Sequence, residues 1–131
     1  MSRENIELLR SSYAVWNRSG YDAVNRILDP EIELRLPEGG LNTGIRRGRE
    51  AVRQFFETVL EAFDSVRLEP EGFFDEDDRV VVLVRLVARG RGSGVELAIR
   101  PAHVWTIRSG KAVRLDVYPE RDRDRALESL G

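Results

Sequence analysis

Apolar and polar residues alternate most regularly between Val95 and Tyr118. Val95, Leu97, Ile99, Pro101, His103, Trp105 and Ile107 fall on one side of an extended chain. Glu96, Ala98, Arg100, Ala102, Val104 and Thr106 fall on the other. Only His103 interrupts the apolar character of the first set, so that side is expected to face the core. After Arg108-Ser109-Gly110-Lys111 the alternation resumes, with Val113, Leu115 and Val117 opposed to Arg114, Asp116 and Tyr118. The segment predicts a hairpin of two long strands. A two-residue loop at Ser109-Gly110 would set Trp105 opposite Arg114 and His103 opposite Asp116, pressing charges against the core. A three-residue loop, Arg108 to Gly110 with the glycine in the left-handed position, sets Trp105 opposite Val113 and His103 opposite Leu115. A slip of one residue inverts every side chain. The three-residue loop is therefore expected, with Asp116 facing away from His103.

Upstream the period changes. Ser2 is placed to cap a helix with Glu4 in its first turn, and Ile6, Leu9, Tyr13 and Trp16 recur at helical spacing until Gly20. Tyr21 to Leu28 predicts a second short helix, broken at Asp29-Pro30. Glu31 to Leu36 alternates as a strand. Pro37 to Arg47, with three glycines, reads as a loop, either a connector or a lid over a pocket mouth. Gly48 to Phe63 carries the strongest helical stripe, built on Ala51, Val52, Phe55, Phe56, Val59, Leu60 and Phe63. Val66 to Phe74 contains Pro70 and is placed at a sheet edge. Arg79 to Arg89 is a nearly continuous apolar strand, and Glu120 to Leu130 a short charged helix. The order predicts an α+β fold, helices packed on one face of a curved antiparallel sheet, in a single domain over 1–131.

Composition narrows the function classes. Twenty-one Lys and Arg against 23 Asp and Glu give a net charge of −2, which argues against nucleic acid as the main partner. Hydrophobic residues make up 41% of the 131, enough for a real core. There is no cysteine, hence no disulfide or thiolate chemistry. No run is apolar enough to span a membrane, and the first residues lack a signal-peptide pattern, so a cytoplasmic protein is expected. Asp75 to Asp78 lacks the glycine and distal glutamate of a calcium loop and reads as a solvated turn. Gly90 to Gly94 joins strand to strand, not strand to helix, which disfavours a phosphate cradle. No cofactor or metal is called for.

Asn17-Arg18-Ser19-Gly20 after Tyr13, the junction Leu28-Asp29-Pro30-Glu31, and Gly48-Arg49-Glu50-Ala51-Val52 opening a helix form a familiar set. With Asp78-Arg79-Val80, Ser93-Gly94, Trp105 to Lys111 and Tyr118 to Leu127, it resembles the nuclear transport factor 2-like superfamily and its SnoaL-like polyketide cyclase group. The resemblance implies a cone in which a bent sheet wraps a helix and leaves a hydrophobic cavity. It also implies dimers through the outer sheet face. The acid–base histidine of the polyketide cyclases falls on His103, but their aspartate falls on Val117. The resemblance to ketosteroid isomerases puts their helix tyrosine at Tyr13 and their oxyanion-hole aspartate at His103, while their base falls on Leu36. The Arg-and-Asp pair of limonene epoxide hydrolases is not supplied by Arg100-Pro101-Ala102.

His103 and Tyr13 are thus the candidate catalytic pair, and Trp16, Leu36, Phe55, Trp105 and Val117 the candidate ligand-binding residues. Two functional classes follow: a binder of a small hydrophobic molecule, or an isomerase, cyclase or hydratase using His103 with Tyr13. The bland alternative is a core histidine satisfied by one partner. An imidazole in an apolar setting without a carboxylate is expected to have a lowered pKa. Ala98, Ala102, Val104 and Thr106 on the outer face are expected to seat a second copy as a homodimer.

Overall fold

The computed structural model describes residues 2–36 and 44–130. Helix α1 (Ser2–Ser19) is followed by α2 (Tyr21–Val24), a 3₁₀ turn (Asn25–Ile27), strand β1 (Leu28–Leu36), strand β2 (Gly44–Arg47) and helix α3 (Arg49–Leu60). Strands β3 (Phe63–Glu76), β4 (Arg79–Gly90), β5 (Glu96–Ile99), β6 (Ala102–Arg108) and β7 (Lys111–Tyr118) precede a second 3₁₀ turn (Glu120–Asp122) and helix α4 (Arg123–Glu128). The strands form one curved, unclosed sheet in the order β2-β1-β7-β6-β4-β3, with β5 paired to β4. Helix α3 touches β1 and β2 at one end of that order and β3 at the other, so it bridges the open ends of the sheet.

Inward and outward faces follow the alternation. Val80, Val82 and Val84 of β4 join Leu9, Tyr13, Ile32, Leu34, Trp105 and Leu115 in the main core. Val81 turns outward, into a second small cluster with Ala102, Val104 and Ala126. Strand β3 is an edge, as its proline implied, and the edge is covered. The Asn17 amide accepts from Leu68 N–H and donates to Leu68 C=O, each at 2.9 Å, while Trp16 Nε1 donates to Val66 C=O at 3.3 Å. Side chains of α1 thus occupy the backbone groups that an unpaired strand would leave open.

Four expectations are corrected. The hairpin turn has two residues, Ser109 and Gly110, both at positive φ (51° and 75°), between paired Arg108 and Lys111. The register conflict is resolved by a bulge: Thr106 faces Arg114 but Ile107 faces Ala112, leaving Val113 as the extra residue. Trp105 therefore lies opposite Leu115, and His103 opposite Val117. Ala112 takes the core position expected for Val113. The buried face survives the change, and Asp116 pairs with Val104 on the other side.

The long first strand of the hairpin is also broken. Arg100-Pro101 separates β5, which pairs with Leu86 to Arg89, from β6, which pairs with Arg79 to Leu83. Beyond this break Val95, Leu97 and Ile99 are 65%, 44% and 38% exposed, not buried. Gly44 to Arg47, expected within a loop, forms β2 against β1. The rest of the expected lid, 37–43, lies outside the described residues. Finally, the outer patch expected to seat a second copy is partly covered within the chain. Ala126, Leu127 and Leu130 pack over Ala102 and Val104, because the charged C-terminal segment folds back with its small and apolar side inward. No helix among the described residues is long and apolar enough to cross a membrane.

Candidate functional site

The inner face of the sheet and helices α1 and α3 enclose a cavity of about 340 Å³. Each element contributes side chains at its own period. Helix α1 presents Tyr13 and Trp16, three residues apart; α3 presents Phe55 and Phe56; β1 presents Leu34 and Leu36; β6 presents His103 and Trp105; β7 presents Leu115 and Val117. All seven expected site residues, Tyr13, Trp16, Leu36, Phe55, His103, Trp105 and Val117, line this one cavity. Among the described residues its lining holds no Asp, Glu, Lys or Arg. Asp116 is elsewhere, held bidentately by Arg114 at 2.7 and 3.0 Å on the outer face.

Trp105, Tyr13 and His103 form a short relay. Indole Nε1–H is a donor only, so the Tyr13 oxygen accepts it, at 3.0 Å. The same oxygen lies 2.6 Å from His103 Nδ1. If Nδ1 carried the ring proton, the phenolic proton would have no acceptor among the described residues. Tyr13 therefore donates to Nδ1, and the ring proton resides on Nε2. Nε2 has no protein partner among the described residues, and the ring lines the cavity. The arrangement presents one N–H donor to a space whose described lining carries no charged side chain.

Burial fixes the protonation states. Loss of water holds the His103 pKa at about 4, below the usual 6.5, so the ring is neutral at pH 7. Burial also raises the Tyr13 phenol, and the hydrogen bond from Trp105 only partly opposes it. Two further polar groups around the cavity are engaged: Ser12 Oγ donates to Leu8 C=O at 2.7 Å and Trp16 Nε1 to Val66 C=O.

The residue-level reading missed Tyr21 and Phe56 as a unit. Their rings pack at 5.2 Å between centroids, with Trp16 edge-on to both, forming one wall. Burial raises the Tyr21 pKa to about 12, and its buried hydroxyl has no partner among the described residues. Phe56 was legible as part of the α3 stripe; Tyr21, at the start of a four-residue helix, carried no periodic signal. Pro101 and Ile99 also line the cavity, and the alternation with His103 foretold them. No group of three metal-ligating side chains gathers among the described residues.

The SnoaL-like domain family matches residues 9–115. The chain belongs to the SnoaL-like family. Among solved structures, TerC, co-crystallised with polyporic acid, is similar at 28% identity over 96% of each chain, with a TM-score of 0.77. An NTF2-like protein of unknown function from Burkholderia pseudomallei is similar at 25% identity over 96% of each chain, TM-score 0.78. A protein from Jannaschia assigned to the SnoaL-like polyketide cyclases is 17% identical over 98% of this chain and 92% of its own, TM-score 0.79, a likeness of fold. No curated protein matches significantly.

Proposed function

We propose that this SnoaL-like protein binds a small, neutral, largely apolar molecule in the cavity and orients it by one hydrogen bond from His103 Nε2–H. The observation that carries this reading is the unpartnered Nε2–H donor, fixed by the Trp105–Tyr13–His103 relay in a lining without charged side chains among the described residues, where the Tyr21 hydroxyl is the other unpartnered polar group. Such a site favours a ligand with one acceptor, a carbonyl or ether oxygen, over an anion, since no Lys or Arg among the described residues lines it. That TerC was crystallised with polyporic acid supports small-molecule binding in this fold. Acid–base catalysis by His103 with Tyr13 is the second reading, favoured by their 2.6 Å contact. It is the weaker one, because both groups are held neutral and no carboxylate among the described residues lines the cavity.

The test is calorimetric titration of para-butyl acetophenone and its matched hydrocarbon. A net hydrogen bond of about 1 kcal/mol corresponds to a ketone preference of about fivefold, expected in the native protein and absent in His103→Ala. Equal affinity for ketone and hydrocarbon in the native protein would remove the proposed role of His103.

A further inference from the structure

The inner wall of the cavity does not stop at its mouth. Cross-strand partners share a face, and the register gives two rows across β3, β4 and β5: Leu68, Leu86 and Ile99, then Val66, Ala88 and Leu97. Ile99, Leu86, Leu68 and Val66 line the cavity. Leu97 is therefore on the same face, one step farther out, yet it is 44% exposed and Ile99 38%. The alternation runs unbroken from His103 through Pro101 and Ile99 to Leu97. Ile99 lies about 13 Å and Leu97 about 20 Å along the chain from His103 at strand spacing. The far end of this shelf is walled by the β4–β5 turn, where Arg91 donates to the carbonyls of Glu61 (2.9 Å) and Phe63 (3.0 Å) beyond α3.

From this continuity we infer that the ligand is elongated: its acceptor end meets His103 and its apolar tail leaves the cavity along Ile99 and Leu97. The inference rests on the binding reading above and names its ligand class, a neutral carbonyl compound with a linear apolar tail too long for the enclosed space. An isolated exposed leucine needs no explanation. A row that prolongs a cavity wall, with no charged residue among the described cross-strand partners in it, does. The occupant with the matching shape and polarity is the outer half of the molecule already seated inside.

The experiment uses para-alkyl acetophenones with chains from methyl to decyl, titrated into the native protein and into Leu97→Gln. Each buried methylene strengthens binding about fourfold. In the native protein the gain is expected to continue past the chain length that fills the cavity. Leu97→Gln, at a half-exposed position where folding is not at stake, should leave the short probes unchanged and weaken the longest at least threefold. A plateau once the cavity is full, or an equal loss for short and long probes, overturns the elongated ligand while leaving the binding reading intact. Failure of every probe to bind, short ones included, overturns both.

Discussion

Replacing the only histidine offers a direct measure of how dry the site is. His103 has its pKa lowered from 6.5 to about 4 by desolvation, and each unit of such a difference is worth about 1.4 kcal/mol. The sign follows from linkage. Between these two values the unfolded chain binds a proton that the folded chain refuses, so stability falls as pH drops through the window. The contribution is fully present above pH 6.5 and lost by about pH 4. The full shift would be about 3 kcal/mol. The ring's open edge faces a cavity that water can enter, so about 2 kcal/mol is expected. Urea unfolding at pH 7 and pH 4.5, for the native protein and His103→Gln, isolates this contribution, because the carboxylates titrate in both. The native protein should lose about 2 kcal/mol more than the variant. Parallel stability curves, or an NMR titration of the imidazole at or above its ordinary value, would refute the desolvated neutral ring.

Tyr13→Phe removes the acceptor of Trp105 Nε1–H and the donor to His103 Nδ1, and should cost about 2–3 kcal/mol; nitrogen NMR should show both imidazole tautomers, whereas a retained single Nε2–H tautomer would show that Tyr13 does not set it. Asn17→Ala should cost about 2 kcal/mol and speed exchange of the Leu68 amide, since both Leu68 backbone groups lose their partner; unchanged exchange would mean that the β3 edge is protected by something else. Val117→Asp places a carboxylate directly opposite His103, so the imidazole pKa should rise from about 4; an unmoved titration would show that the two side chains do not meet across the strands.

Much of this architecture was legible because burial imposes period. The 3.6-residue stripe of Phe55, Phe56, Val59 and Leu60 and the two-residue period from Pro101 to Ile107 each needed only one buried face. What escaped was local. The β7 bulge at Val113 has no signature of its own: the conflict between turn and core was visible, and the sequence offered two ways to resolve it. A longer loop satisfied the same faces as a tight turn plus one extra residue. The break at Arg100-Pro101 was visible as a proline, but β5 and β6 keep β4 as a shared partner in one register across it. The covering of Ala102 and Val104 by Ala126, Leu127 and Leu130 was hidden because charges dominate the C-terminal segment, and only three apolar side chains reveal its inner side. The seven residues named for the site line one cavity because each lies on a face fixed by period. The Trp105–Tyr13 bond, by contrast, depends on a helix crossing a sheet at one height.

The same physics that suits the site to the proposed binding role makes His103 a poor base. A histidine assists proton transfer best when its pKa lies near the working pH, and here two residues decide against that. At Val117, opposite His103, a valine stands where a carboxylate would pair with the imidazole and favour its charged form. At Leu36, on the neighbouring wall, a leucine again offers no carboxylate. Without either, desolvation acts unopposed and the ring stays neutral, with its Nδ1 lone pair occupied by Tyr13. A neutral imidazole in this tautomer retains one capacity toward the cavity, donation from Nε2–H. Donation costs nothing in reorganisation, because Tyr13 and Trp105 already hold the ring, and it gains strength from the low dielectric around it. The relay therefore spends its hydrogen bonds on fixing a direction, which is what recognition of a single carbonyl or ether oxygen requires.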